Sequence, residues 1–141
     1  VSVFALDFNT TLPRTKTFIT SEFAWIRVDV PDTYSQQFGK RQRGGFLDIV
    51  QQVLKRPILG WNNAVINVAC RLEYVDWNVG RFDETAGNIG EDLWSIMPAV
   101  SFRPTAQTVI RFNYRYLKQR DIFGNPPSIT DGMSLGISSY F

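Results

Sequence analysis

Three stretches of this chain repeat with a period of two, and that constrains the fold more than anything else in the sequence. In AVINVACRLEY, residues 64–74, Ile66, Val68, Cys70, Leu72 and Tyr74 fall on one face and Asn67, Ala69, Arg71 and Glu73 on the other. In LWSIMPAVSFR, residues 93–103, Trp94, Ile96, Pro98, Val100 and Phe102 alternate with Ser95, Met97, Ala99, Ser101 and Arg103. In TVIRFNYRY, residues 108–116, Ile110, Phe112, Tyr114 and Tyr116 alternate with Val109, Arg111, Asn113 and Arg115. Successive side chains of a strand point to opposite faces, so a strand produces this pattern and a 3.6-residue helix does not.

Four further segments read as strands by the same rule. VSVFALDF, residues 1–8, sets Phe4, Leu6 and Phe8 against Ala5 and Asp7. KTFITSEFAWIRVDV, residues 16–30, sets Ile19, Phe23 and Trp25 against Thr20, Glu22 and Ala24, and slips at Ile26, where a bulge is expected. GGFLDIVQQVL, residues 44–54, sets Leu47, Ile49 and Val53 against Asp48, Val50 and Gln52, a pattern a short helix could also use. MSLGISSYF, residues 133–141, sets Met133, Leu135, Ile137 and Phe141 against Ser134, Gly136, Ser138 and Tyr140. The expectation is an all-β chain of seven antiparallel strands.

The connections alternate: NTTLPRTK short, PDTYSQQFGKRQR long, KRPILGWNN short, NVGRFDETAGNIGED long, PTAQ short, QRDIFGNPPSITDG long. In an up-and-down meander alternate connections lie at one end, so short turns gather at one end and long polar loops at the other. A soluble sandwich does not require this. A transmembrane barrel has it, together with apolar-out, polar-in strands and aromatic girdles. Trp77 and Trp94 flank one long loop, while Trp61, Tyr140 and Phe141 fall at the short-turn end, as interfacial rings would.

Composition removes several function classes. Hydrophobic residues are 44% and charged residues 20% of 141, so the chain is not disordered. Net charge is only +2, which argues for no nucleic-acid partner. There is no histidine and a single cysteine, Cys70, which excludes an internal disulfide, His-based acid–base catalysis and the common zinc sets. Asp83, Glu84, Glu91 and Asp92 crowd one loop but lack EF-hand spacing. No metal site, cofactor or enzymatic activity is expected.

The chain resembles the C-terminal part of Gram-negative outer-membrane β-barrel porins, phosphate-selective or related ones. The terminal strand carries the resemblance, with Met133, Leu135, Ile137, Tyr140 and Phe141 at the positions of the family's assembly signal; Ser139 departs, where an apolar residue is usual. RLEYVDWNVG and FRPTAQTVIRFNYRY share the family's strand grammar. The resemblance implies bacterial outer-membrane localisation and passive diffusion of small hydrophilic solutes or ions. It implies outer-membrane lipid, lipopolysaccharide and the barrel-assembly machinery as partners, and a homotrimer. Seven strands is odd, whereas single-chain bacterial barrels have an even number, so residues 1–141 are expected to be the C-terminal strands of a larger barrel.

On that reading Arg71, Glu73, Arg103, Arg111, Asn113 and Arg115 line a pore, and Cys70 faces lipid as a small hydrophobe. Four arginines on three adjacent strands would bias a channel toward anions. Alternatively they pair with Glu73, Asp7 and Glu22 and merely solvate the lumen. KRQR, residues 40–43, either touches lipopolysaccharide phosphates or is a solvated loop. The competing function is a soluble β-sandwich ligand- or carbohydrate-binding module, which requires Phe112 and Tyr114 to be buried against a second sheet.

Overall fold

The computed structural model describes residues 1–31, 33, 34, 36 and 38–140. Every regular element among them is a strand: β1 Ser2–Leu12, β2 Thr17–Arg27, β3 Arg41–Lys55, β4 Val65–Asp76, β5 Asp92–Arg103, β6 Thr108–Gln119 and β7 Ser128–Ser139. They form one antiparallel sheet in the order β1-β2-β3-β4-β5-β6-β7, a plain meander that does not close, since β1 and β7 are not paired with each other. Phe141 of the expected assembly signal lies outside the described residues.

Two expectations are corrected at the level of register. No bulge interrupts β2 at Ile26, which pairs in step with Val3 and Gln42. The irregularity is in β3, where Gln52 pairs with Asn67 and Leu54 with Ile66, leaving Val53 as the extra residue. The bulge puts Leu54, not Val53, in line with the apolar row. Pro98 sits inside β5 and leaves its mark on the ladder to β6: pairing is continuous up to Ile96–Tyr116, skips Met97 and Pro98, and resumes at Ala99–Asn113 in unchanged register. A proline has no N–H to give the ladder.

The connections span residues 13–16, 56–64 and 104–107 at one end and 28–40, 77–91 and 120–127 at the other. The alternation holds less sharply than the sequence suggests. β7 begins at Ser128 and takes up residues that read as loop, so 120–127 is slightly shorter than 56–64. Arg41, Gln42 and Arg43 likewise belong to β3 and not to a loop. Within 56–64 the backbone reverses at Leu59 (φ 50°) and Gly60 (φ 85°), between Ile58 and Trp61, which exchange both N–H···O bonds at 3.1 and 2.9 Å. Two consecutive positive φ values match the right-handed twist of the flanking chain. Residues 120–127 are organised by Asp121, whose carboxylate accepts from the Asn125 side chain at 2.6 Å and from the Phe123 and Asn125 backbone N–H groups. These bonds, the Asn125 side chain foremost, hold its carboxyl below the usual range.

The sheet has almost no core of its own. Among the described residues only Ala64 and Ile89 are buried hydrophobics. Phe112 is 48% exposed, and among the described residues there is no second sheet to cover it. Of the glycines in the sheet, Gly45 is the most closely approached by its neighbours. A Cβ there would meet the Glu22 carbonyl oxygen and come within 2.8 Å of a Phe23 ring carbon. Gly45→Ala must therefore push backbone apart, and is expected to lower stability by about 1–3 kcal/mol. A denaturant midpoint for the folded variant equal to wild type would contradict this.

Candidate functional site

Register places the expected residues. Ala69 lies opposite Ala99, Glu73 opposite Ser95, and Asn67 opposite Ser101. Asn113 lies opposite Ala99 and Ser134, and Arg111 opposite Ser101 and Gly136. Arg71, Glu73, Arg103, Arg111, Asn113 and Arg115 therefore share one face of the sheet, as the alternation requires. Cys70, opposite Ile49 and Pro98, lies on the other face.

At the centre of the polar face the charges are tied into a ladder across four strands. Arg71 donates to Asp48 through Nε at 2.7 Å and Nη2 at 2.6 Å, and its Nη1 lies 3.6 Å from Glu73. The guanidinium carbon sits 4.9 Å from the centroid of the Phe46 ring. Glu73 Oε2 accepts from Arg115 Nη2 at 2.6 Å and from Ser95 Oγ at 2.7 Å. Ser95 is only 1% exposed, so its hydroxyl depends on that bond. The bidentate Arg71–Asp48 fork fixes orientation as well as charge. Two arginines and two carboxylates leave the ladder neutral.

Reading one strand at a time did not reveal Asp48, Ser95 or Phe46. Their partners are set by pairing between strands, which single-strand periodicity does not contain. Of the three acids considered as partners, only Glu73 pairs. Asp7 and Glu22 face each other across β1–β2 with no cation bound among the described residues. Arg103 and Arg111 are likewise without an ion pair among the described residues, toward the short-turn end. Lys55, opposite Val65 in the same row as Arg103, adds a third cation there. Charge on this face is thus acidic at β1–β2, balanced at the centre and basic near the short turns.

The opposite face is apolar and ringed. Near the long-loop end Phe4 and Trp25 meet at a tilt of 42° with centroids 5.6 Å apart, Phe23 and Trp25 meet edge-on at 4.4 Å, and Trp94 and Tyr116 lie 5.5 Å apart. Arg43 reaches Asp76 at 3.3 Å beside Tyr74. Below these lie Leu47, Leu72 and Ile96 in one row, then Ile49, Cys70 and Pro98, then Val68, Val100, Phe112 and Leu135. Met133, Leu135 and Ile137 of β7 continue this face and are 73%, 68% and 70% exposed. Asp131, near the long-loop end of β7, interrupts it, 3.5 Å from the Tyr114 hydroxyl. At the short-turn end Trp61 and Tyr140 are both exposed, and the Tyr140 N–H donates to the Gln107 carbonyl at 3.1 Å.

Two of the four acids are used structurally: Glu91 accepts from the Asn78 side chain, and Asp92 pairs with Arg120 at 2.5 Å. Among the described residues no three metal-binding side chains converge. No family model, curated protein or solved structure matches this chain.

Proposed function

We propose that these seven strands are part of the wall of a transmembrane β-barrel in a bacterial outer membrane, and that the barrel is a porin-like channel for small hydrophilic solutes or ions. The observation that carries the reading is the largely apolar face, uncovered from Phe4 to Ile137 and charged only toward its long-loop end, on a sheet whose other face holds an ion-pair ladder. In water such a face exposes far more contiguous apolar surface than a monomer tolerates. In lipid it is the required outer surface.

Dimensions agree. β4 has 12 residues, and at about 3.4 Å per residue, tilted about 40°, a strand of that length covers roughly 30 Å, the thickness of a bilayer's hydrocarbon core. The rings at the two ends then lie at the two interfaces. The outer edges of β1 and β7 have unpaired backbone groups, which lipid cannot satisfy, so further strands close the barrel. The intact mass of the natural protein, extracted from its membrane in detergent, is expected to exceed 16.2 kDa substantially, and the protein to conduct in planar bilayers. Solubility in plain buffer at 16.2 kDa would sink the proposal.

Selectivity follows from the unpaired charges, because the neutral ladder contributes little. Among the described residues, unpaired on this wall are Arg103, Arg111 and Lys55 near the short turns against Asp7 and Glu22 on β1–β2, an excess of one positive charge, so the channel favours anions weakly. The double substitution Arg103→Ala with Arg111→Ala is expected to move the reversal potential in a salt gradient toward cation preference. An unmoved potential would mean that strands outside these seven set the selectivity.

A further inference from the structure

Arg27 and Arg41 stand directly opposite each other on β2 and β3, on the apolar face, and both are exposed. Like charges so placed repel. Neither has an ion pair or a side-chain hydrogen bond among the described residues. The contrast with Arg43 is direct, since Arg43, two residues along the same face, has Asp76 and Tyr74.

The two arginines line a groove of about 490 Å3 together with Arg43, Ile26, Trp25 and Phe4. Rings form its lower part, with Trp25 packed between Phe4 and Phe23. Its upper margin is fixed by backbone bonds: the Val79 N–H donates to the Arg41 carbonyl at 2.9 Å, and the Val28 N–H donates to the Lys40 carbonyl at 2.9 Å. The guanidiniums are therefore held on ordered backbone, immediately beyond an aromatic belt.

We infer that this groove binds a phosphate group carried by an outer-leaflet lipid, with Arg27 and Arg41 on the phosphate and Phe4 and Trp25 against the acyl chains. The inference rests on the barrel reading, which makes this face the lipid-facing one and puts the long-loop end, where both arginines lie, at the outer leaflet. Cations above rings reproduce the order of headgroup above acyl chain in an anionic lipid. A phosphate bridging two guanidiniums turns their repulsion into two charge-assisted contacts, for which the planar fork is suited. A free anion would have no use for the rings below.

The test uses the natural protein in phosphatidylcholine nanodiscs containing either diphosphorylated lipid A or the same lipid without phosphates. Retained lipid per protein is read by native mass spectrometry, and insertion by resistance to protease. Phosphorylated lipid A is expected to be retained, and Arg27→Gln with Arg41→Gln to weaken that retention roughly tenfold. Arg27→Lys with Arg41→Lys should lose less, and Arg56→Gln, in the 56–64 turn, nothing. If the double glutamine variant does not insert, R41Q alone carries the test, with the same direction of effect. Equal retention of the dephosphorylated lipid, unchanged retention in the glutamine variant, or displacement by inorganic phosphate would each overturn the inference while leaving the barrel standing. A wild-type protein that enters no bilayer overturns both.

Discussion

Replacing Leu72 with arginine is expected to cost the membrane-inserted protein about 2–4 kcal/mol, the range for a cation placed on the lipid face at mid-bilayer. Leu72 is near the middle of β4, with Leu47 and Ile96 across from it, and is 44% exposed. That exposure is what separates the two readings. On a water-facing sheet, Leu72→Arg removes a solvated apolar side chain and adds a solvated polar one, a change within about 0.5 kcal/mol. In hydrocarbon the guanidinium has no water and no counter-charge within the row. Thr20→Arg supplies the comparison. Thr20 lies on the polar face between Asn9 and Asp48, one register step from the Asp7–Glu22 pair, so a cation there meets water and carboxylates. It is expected to change stability by less than about 1 kcal/mol. Urea unfolding from lipid vesicles would measure both, and equal small effects would remove the membrane from the account.

What was legible in the sequence is what a single strand encodes. The faces of β4, β5 and β6 follow from alternation, and so does the shared face of Arg71, Glu73, Arg103, Arg111, Asn113 and Arg115. What failed was information held between strands. The bulge at Val53 is a mismatch of β3 against β4, and nothing in GGFLDIVQQVL marks it. The apparent slip at Ile26 came from reading IRVDV as a continuation of β2, whereas the strand ends at Arg27. Ser128–Gly132 looked like loop because proline precedes it and Asp131 and Gly132 are turn residues. Pairing with Arg115–Gln119 draws it into β7. Gly132, opposite Arg115, leaves room beside that side chain on the polar face, a role that turn propensity does not describe.

The same distinction decides what Glu73 does. By periodicity it is one acid among arginines; by register it is the joint of the ladder, accepting from Arg115 and Ser95 and adjoining Arg71. Glu73→Ala is expected to destabilise by about 2 kcal/mol, because the Ser95 hydroxyl, buried at 1% exposure, is left without an acceptor. The Arg115 contact adds little to that figure, since its side chain is 45% exposed and screened by water. Arg71 keeps its bidentate hold on Asp48. Adding Ser95→Ala to Glu73→Ala should therefore recover part of the loss by removing the orphaned hydroxyl, giving a coupling of about 1 kcal/mol in a double-mutant cycle. Ion selectivity responds as well. Removing Glu73 leaves Asp48 alone against Arg71 and Arg115, so the centre of the wall gains one positive charge and the channel gains anion preference. Additive stability effects would show that the Ser95–Glu73 bond contributes nothing. An unchanged reversal potential in E73A would show that this ladder lies off the ion path.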